Sequence, residues 1–193
     1  MRHLIAAVFL ACLFGAIPLK GQDKDYSVRE WRLGWGDMMF EQAAYRASRS
    51  RTDYHHIGHF YAGYRYSFNK WLSAGADIDF STVNWKEQGA REHFVNLAIL
   101  PSVRFTYFRG KRVTMYSGLG AGLLVNTGSE TDYLGRRTVC APAIDLTLYG
   151  ISYNWDAHWC TSFELGGLNA LNGKNEIFML ASRIFSISVG YRL

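Results

Sequence analysis

Proline, cysteine and long apolar runs are all scarce in this sequence, and each scarcity narrows the class of protein. The chain has 3 prolines and 3 cysteines among its 193 residues. After residue 19, no segment is apolar over the ~20 residues that a membrane-spanning helix needs, which argues against a helical membrane protein. The charges do not strongly favour one sign, because 21 Lys and Arg stand against 16 Asp and Glu. Such a small, dispersed basic excess gives no argument for nucleic-acid binding.

Aromatic residues and glycine are, by contrast, abundant. Phe, Trp and Tyr make up 16% of the residues, and there are 19 glycines. Aromatic side chains are enriched in strands, and glycine is disfavoured in helix interiors. The composition therefore indicates a β-rich protein rather than a helix bundle.

The first 22 residues have the organisation of a secretory signal peptide. Arg2 and His3 precede an apolar run over residues 4–19, and a polar, glycine-containing end follows. A basic start, a short apolar centre and a small-residue end are typical of a cleaved export signal. We therefore predict a signal peptide at 1–22 and a single domain at 23–193. An uncleaved membrane anchor is the alternative.

The rest of the chain alternates apolar residues with polar or small ones in block after block. In the run Leu72-Ala74-Ala76-Ile78-Phe80, for example, the intervening residues are Ser, Gly and Asp. A period of two is that of a β-strand with two different faces. The pattern predicts eight strands, at 29–40, 57–68, 71–85, 93–108, 111–126, 140–154, 158–169 and 180–193. Their lengths meet or exceed the ~9–11 residues that a tilted transmembrane strand requires.

The connections between these strands alternate between short and long. The short ones are Asn69-Lys70, Arg109-Gly110 and Trp155-Asp156-Ala157, and the longer, polar ones are 41–56, 86–92, 127–139 and 170–179. This rhythm is typical of an outer-membrane barrel with long loops outside the cell and both termini on the periplasmic side. Cys140 and Cys160 then lie at opposite ends of adjacent strands, so we expect two free thiols.

The two faces of the predicted strands indicate which one contacts lipid. One face carries Leu, Ile, Val, Phe and Tyr, whereas the other carries Gly, Ser, Asn and charged residues. Small and polar side chains suit the narrow interior of an eight-stranded barrel. Aromatic residues cluster beside the short turns, as at a membrane interface: Tyr66, Phe68, Trp71, Tyr107, Phe108, Tyr153, Trp155, Trp159 and Tyr191. A soluble, lipocalin-like barrel with the apolar face inside is the alternative.

The last predicted strand ends in Ile187-Ser188-Val189-Gly190-Tyr191-Arg192-Leu193. This segment resembles the C-terminal signal that the barrel-insertion machinery reads, with Leu193 in place of the usual terminal Phe. The mature chain as a whole resembles the small outer-membrane β-barrel family that includes the OmpA transmembrane domain and OmpX. Together with the strand pattern, the resemblance predicts an all-β fold, an eight-stranded antiparallel up-and-down transmembrane β-barrel in a Gram-negative outer membrane.

The partners that we expect follow from this location. They are outer-membrane lipid, lipopolysaccharide and, during biogenesis, the barrel-insertion machinery. We expect a monomer that binds no nucleic acid and no cofactor.

Eight charged residues fall on the face predicted to line the barrel. The bases are Arg32, Arg65, Arg104 and Arg192, and the acids are Asp77, Asp79, Asp145 and Glu164. We expect the arginines nearer the short turns than the carboxylates, with Arg65 and Arg104 meeting Asp77 and Glu164. Because a buried charge is tolerated only when it is paired, we predict a salt-bridge network that plugs the lumen. An ion or proton path is the alternative.

A histidine cluster in or beside the first long loop has the residue type of a metal site. It comprises His55, His56 and His59, with Asp53 nearby. Imidazole and carboxylate groups bind zinc and other transition metals. The spacing matches no known motif, so we predict a histidine-rich loop rim without a metal.

His158, Ser162 and Glu164 share one face of one predicted strand, and such groups act in acyl hydrolases. Same-face neighbours in a strand are ~6.6 Å apart, which leaves His158 and Ser162 too distant to hydrogen-bond. We therefore predict no catalytic residue. Gly118, Gly120 and Gly122 alternate within a strand, where we expect them to relieve crowding in the lumen rather than bind phosphate.

Arginine pairs in the long loops are candidates for contact with lipopolysaccharide phosphates. They are Arg49 with Arg51 and Arg136 with Arg137, and ordinary solvated charge is the alternative. The sequence thus predicts a small outer-membrane barrel with a plugged lumen, no enzymatic activity, and a structural or surface-interaction role through its external loops. A barrel enzyme acting on outer-membrane lipid and a narrow channel are the alternative functions.

Overall fold

The structure, a computed structural model, describes residues 28–37, 53–87, 90–128, 138–171 and 183–193. They form eight strands: β1 (Val28–Asp37), β2 (Asp53–Ser67), β3 (Leu72–Glu87), β4 (Ala90–Arg109), β5 (Val113–Gly128), β6 (Thr138–Asn154), β7 (Trp159–Ala170) and β8 (Phe185–Arg192). The predicted signal peptide and most of the predicted connections 41–56, 127–139 and 170–179 lie outside the described residues. The strands β3 and β4 take up the predicted connection 86–92 except for residues 88 and 89. None of the described segments forms a helix of the length and apolarity needed to cross a membrane.

The strands form one closed barrel in chain order, and every neighbouring pair is antiparallel. β8 closes the barrel by pairing with β1, in a register that places Val189 opposite Leu33. Closure gives every strand two neighbours and leaves no unpaired sheet edge. The predicted fold class is therefore confirmed in strand number, order and direction. Cys140 and Cys160 are also free thiols, as expected.

Two of the three short turns are held by a side-chain acceptor. Asn69 and Asp156 each use Oδ1 to accept from the backbone N–H groups two and three residues further on, at 2.7–2.8 Å. This arrangement of an Asn or Asp side chain stabilises a tight turn. The two N–H donors also hold the pKa of the exposed Asp156 carboxyl below its ordinary value.

Side-chain burial follows the predicted alternation. In β8, Ser186 and Ser188 are 1% and 3% exposed, whereas Ile187 and Val189 are 50% and 48% exposed. The same contrast runs round the barrel, with serine, asparagine and charged side chains inside and large apolar ones outside. Water-soluble proteins have the reverse distribution in their cores.

Register shifts interrupt the strict alternation in four of the strand pairings of the described residues. Between β6 and β7 the shift falls at Thr147/Tyr149, and the consecutive residues Leu148 and Tyr149 both face outward. On β7, opposite this shift, Gly166 has a φ of +100°, which other residues rarely adopt. An extra residue in one strand moves the following side chains to the other face. A pure period of two does not reveal such positions.

Glycines make room for two tyrosine rings inside the barrel. A Cβ added at Gly150 would collide with the ring of Tyr116, and one added at Gly34 would collide with the ring of Tyr61. Both tyrosines are at most 3% exposed. Gly34 and Gly150 thus allow bulky side chains to fill a narrow lumen.

Candidate functional site

The structure places all eight predicted charged residues on the inner face of the barrel. Seven of them are no more than 7% exposed: Arg32, Arg65, Asp77, Asp79, Arg104, Asp145 and Glu164. The eighth, Arg192, lies at the short-turn end and keeps 19% of its side chain exposed. Two further charged residues, Glu30 and Arg183, join them and were not predicted.

Arg32 of β1 lies at the centre of the charged cluster. Its Nε and Nη2 donate to the two carboxylate oxygens of Asp77 on β3, at 2.8 and 2.6 Å. Its Nη1 donates to Oε1 of Glu164 on β7, at 2.8 Å. The planar guanidinium therefore joins three strands across the lumen, using the bidentate geometry that lysine lacks.

Glu164 accepts from several donors besides Arg32. Nη2 of Arg104 and the hydroxyl of Tyr116 both donate to Oε1, at 2.7 and 2.9 Å, and Oγ of Ser186 donates to Oε2 at 3.3 Å. The guanidinium carbon of Arg104 also lies 3.6 Å from the centre of the Tyr116 ring. A buried carboxylate with this many donors is fixed in place and compensated for the loss of water.

A second cluster lies toward the long-loop end and is centred on Arg183. Nη1 donates to Asp79 at 3.0 Å, and Nη2 donates to both oxygens of Asp145 at 3.0 and 3.1 Å. Nδ1 of His59 lies 2.6 Å from the other oxygen of Asp79. His59 is 0% exposed, so the prediction that it belongs to a loop rim is wrong: β2 carries it into the barrel.

A third cluster lies at the short-turn end. Glu30 accepts from Nε of Arg192 at 2.8 Å and lies 3.9 Å from Nη1 of Arg104. Arg192 also donates to Oδ1 of Asn154 at 2.6 Å. The expected separation of arginines from carboxylates is therefore only partly correct, because Glu30 lies among the arginines and Arg183 among the carboxylates.

The two missed residues differ in how they could have been found. Glu30 has the same parity as Arg32 in β1, so the alternation itself assigns it to the inner face. Arg183 precedes β8 and is buried, while its neighbour Ile184 is exposed. Extending the β8 alternation backward would have turned Ile184 inward, so no sequence signal pointed to Arg183.

Arg65 is the predicted residue with the poorest pairing. The sequence analysis placed it against Asp77, and Nη2 does lie 3.6 Å from that carboxylate. Arg32 has taken the two direct hydrogen bonds to Asp77 instead. Arg65 donates to Oγ of Ser102 at 3.4 Å, while its Nε and Nη1 have no hydrogen-bond partner among the described residues.

Uncharged side chains also occupy part of the barrel interior. Leu100, Leu124 and Leu168 are at most 1% exposed and form a small apolar core with neighbouring alanines. Asn126 donates to Asn96. The cavities found inside the described barrel have volumes of about 50 and about 10 Å³, which is room for a few water molecules.

The hydrolase candidates are not brought together. His158 is exposed in the last short turn, where its ring stacks on Tyr191 and Nδ1 lies 3.0 Å from the carbonyl oxygen of Arg192. Ser162 is buried inside the barrel. No group of three metal-ligating side chains occurs in the part of the chain that the structure describes. The loop residues Arg49, Arg51, Arg136 and Arg137 lie outside that part.

No protein-family model and no curated protein sequence matches this chain. Among solved structures, it is similar to the N-terminal β-barrel domain of Pseudomonas aeruginosa OprF (TM-score 0.47, 14% identity, 86% of this chain and 97% of that one). It is also similar to the attachment invasion locus protein Ail of Yersinia pestis, solved with the heparin analogue sucrose octasulfate. That match has a TM-score of 0.49 and 14% identity, and it covers 86% of this chain and 99% of that one. A third similarity is to the outer membrane protein OprG of Pseudomonas aeruginosa. That match has a TM-score of 0.39 and 10% identity, and it covers 86% of this chain and 94% of that one.

Proposed function

We propose that this chain is an outer-membrane barrel protein with a sealed lumen, and that its role is structural or exerted through its external loops. The outer face supports the membrane location. Leu33, Ile99 and Leu123 are 54–70% exposed around the middle of their strands. Large apolar surfaces of this kind are rare on soluble monomers and typical of the lipid-facing band of a transmembrane barrel.

Aromatic side chains at the short-turn end support the same location. Phe68, Trp71, Phe108, Trp155 and Trp159 are each 47–65% exposed there. Trp and Tyr concentrate where a membrane meets water, because one part of the ring is apolar and the other is polar. We place this end of the barrel at the periplasmic interface.

The single observation that carries the sealed lumen is the bridge that Arg32 forms between Asp77 and Glu164. It links β1 to β3 and β7 through three hydrogen bonds of 2.6–2.8 Å. Eight strands enclose a space that side chains just fill. Breaking this bridge in a dry interior would leave Asp77 without its bidentate partner and Glu164 with one donor fewer, which is costly.

Single-channel recording in planar bilayers tests the seal. We expect the unmodified barrel to show no steady conductance. We expect Glu164→Gln, which removes one carboxylate from the bridge, to give brief openings, whereas Lys111→Gln in an exposed turn should not. A large resting conductance of the unmodified protein would overturn the sealed lumen in favour of the narrow channel.

The enzymatic alternative is tested separately. Ser162 and Glu164 are buried in the lumen, and Glu164 is held by Arg32 and Arg104, so neither has the access that a lipid substrate needs. We expect no released fatty acid by mass spectrometry after incubation of the folded barrel with phospholipid and lipopolysaccharide. Release that is lost in Ser162→Ala would establish the enzyme.

The arginine pairs of the loops are proposed to contact lipopolysaccharide. In the sequence, Arg49 with Arg51 and Arg136 with Arg137 belong to the predicted longer connections 41–56 and 127–139. Arginine binds phosphate through paired hydrogen bonds. Replacing all four by Gln should weaken binding to lipopolysaccharide vesicles, whereas Arg112→Gln at the other end should not. Equal binding by the fourfold variant and by Arg112→Gln would show that these four arginines are ordinary solvated loop residues.

A further inference from the structure

The turn between β4 and β5 differs in charge from the other two short turns. It reads Arg109-Gly110-Lys111-Arg112, with three bases and no acid, whereas residues 69–70 and 155–157 include one charged side chain each. Arg109 lines the interior cavity. Lys111 and Arg112 are exposed and do not line it. The bases of this turn that lie outside the lumen are therefore Lys111 and Arg112, which we call the rim pair.

The neighbouring strand β6 orients Arg112. Its Nη1 donates to the hydroxyl of Tyr153 at 3.2 Å, and its backbone carbonyl accepts from the N–H of Asn154 at 2.7 Å. The ring of Tyr153 in turn lies edge-on to that of Trp155, with the ring centres 5.2 Å apart. Arg112 is nevertheless an exposed residue. The contact with Tyr153 thus directs the guanidinium along the outer rim without enclosing it.

Few carboxylates lie near the rim pair. Among the described residues of the short-turn end, Glu30 is buried and bonded within the lumen, and Asp156 is exposed. Oδ1 of Asp156 already accepts from two backbone N–H groups. No ion pair joins Lys111 or Arg112 to a carboxylate of the described residues. The two bases therefore give this part of the rim a positive charge.

Apolar side chains follow the rim pair toward the middle of the barrel. On the outer face, Phe108 lies opposite Met115, and Met115 lies opposite Ile151, in one row across β4, β5 and β6. Phe108 is 48% exposed, and the other two are partly exposed. The surface thus changes from charge, through the Tyr153 hydroxyl, to apolar side chains. A phospholipid has the same order of polarity from its headgroup to its acyl chains.

We propose that the rim pair binds the headgroup phosphate of an anionic phospholipid, of the phosphatidylglycerol class, in the periplasmic leaflet. Arginine offers paired N–H donors to phosphate, and lysine adds a second positive charge. Bases close to a membrane surface favour anionic lipid. The rings of Tyr153 and Trp155 place the pair at the level of the headgroups, because such rings concentrate where a membrane meets water. The acyl chains lie against the Phe108 row.

The inference rests on the proposed membrane location and adds a lipid class and a binding place to it. It is separate from the lipopolysaccharide contacts, which are proposed for the long connections. The barrel is therefore first inserted into phosphatidylcholine vesicles. Failure to insert would overturn the membrane location and the lipid site together. Insertion without any preference for anionic lipid would overturn the lipid site alone.

Lipid preference is measured by native mass spectrometry of the barrel from bilayers with equal amounts of phosphatidylcholine and phosphatidylglycerol. We expect the unmodified barrel to retain phosphatidylglycerol about tenfold better. Lys111→Gln/Arg112→Gln should lose most of this preference. Arg29→Gln/Lys70→Gln, which removes the same charge from the same end of the barrel, should keep it. Equal losses in the two double variants would reveal only a general attraction and would overturn the site.

Cross-linking locates the lipid in the unmodified barrel and needs no variant. Phosphatidylglycerol with a photoreactive headgroup is added to the bilayer, and the labelled residues are identified by mass spectrometry. We expect label at 109–113 and 153–155 and little at 69–71. Even labelling of all three short turns would overturn the proposal. If 109–113 stays unlabelled and the rim pair instead binds soluble polyglutamate, the occupant is an acidic polypeptide and the lipid site is wrong.

Discussion

Arg32 and Leu33 are neighbours in β1, yet they lie in opposite environments. Arg32 is 5% exposed and bound to two carboxylates, whereas Leu33 is 70% exposed on the outer surface. In a water-soluble barrel the leucine would be buried and the arginine would face solvent. The comparison shows that the inner face is stabilised by partners within the protein, while the outer face exposes large apolar side chains, as our proposed membrane location requires.

The two faces should therefore respond differently to substitution. A change on the inner face removes a specific partner, so its effect depends on which atoms are left unpaired. A change on the outer face alters the transfer of one side chain into lipid, so its effect depends on depth in the membrane. The predictions below use neighbouring or matched residues to separate these two effects.

The largest effect is expected from Arg32→Met. It leaves Asp77 without its bidentate partner and deprives Glu164 of one donor. Removing one partner of a buried ion pair costs about 3–5 kcal/mol. We expect this loss in the free energy of unfolding, measured by urea titration in lipid vesicles. Leu33→Met is the matched control on the outer face, and a loss no larger than in that control would show that the bridge does not stabilise the barrel.

A somewhat smaller effect is expected from Leu33→Arg. Leu33 pairs with Ala62 and Val189 in mid-barrel, and an arginine near the centre of the lipid-facing band costs about 2–4 kcal/mol. The same change at Leu193, at the short-turn end, should cost only about 0–1 kcal/mol. Equal costs at both sites, measured by the same titration, would mean that the outer face does not contact a bilayer.

Tyr116→Phe should have a moderate effect on the inner face. The change removes one hydrogen bond to Glu164, while the ring stays in place beside Arg104. Hydrogen bonds to charged groups contribute about 1.5–3 kcal/mol, and we expect a loss at the low end because other donors remain. Tyr149→Phe on the outer face should be close to neutral. A neutral Tyr116→Phe would show that the hydroxyl contributes nothing to holding Glu164.

The smallest effect is expected at the Asp156 turn, and it depends on pH. The pKa of Asp156 is lowered by the backbone N–H groups of Trp159 and His158. Its contribution to stability is therefore present above the ordinary Asp pKa of about 3.9 and is lost as the pH falls through the lower value in the folded state. Asp156→Ala should be less stable than the unmodified protein at pH 7, and the difference should shrink by pH 2. The difference between Asp156→Asn and Asp156→Ala should not change with pH, because neither side chain ionises. A constant difference between Asp156→Ala and the unmodified protein would contradict the role of the charge.

The strands and their faces could be predicted because both arise from a local period of two. The alternation placed Arg32, Asp77 and Glu164 on the inner face, where the structure has them. Pairing across the lumen could not be predicted, because the tilt and register of a closed barrel decide which residues meet. For this reason Arg32, rather than Arg65, binds Asp77.

The misses have equally specific causes. Arg183 lies just before β8, where the alternation does not apply. His59 has the same parity as Arg65 in the regular part of β2, so extending the alternation to the start of the predicted strand would have assigned it to the inner face. Local pattern thus predicts which residues line the barrel within regular strands and fails at the shifts and strand ends.

The orientation of the two faces is the claim on which the account depends, and refolding tests it most directly. The chain without its predicted signal peptide would be diluted from urea into buffer with or without lipid vesicles and followed by far-ultraviolet circular dichroism. We expect the β-sheet spectrum and cooperative unfolding only with vesicles, because the exposed apolar face needs lipid. A folded, soluble monomer in plain buffer would contradict the account.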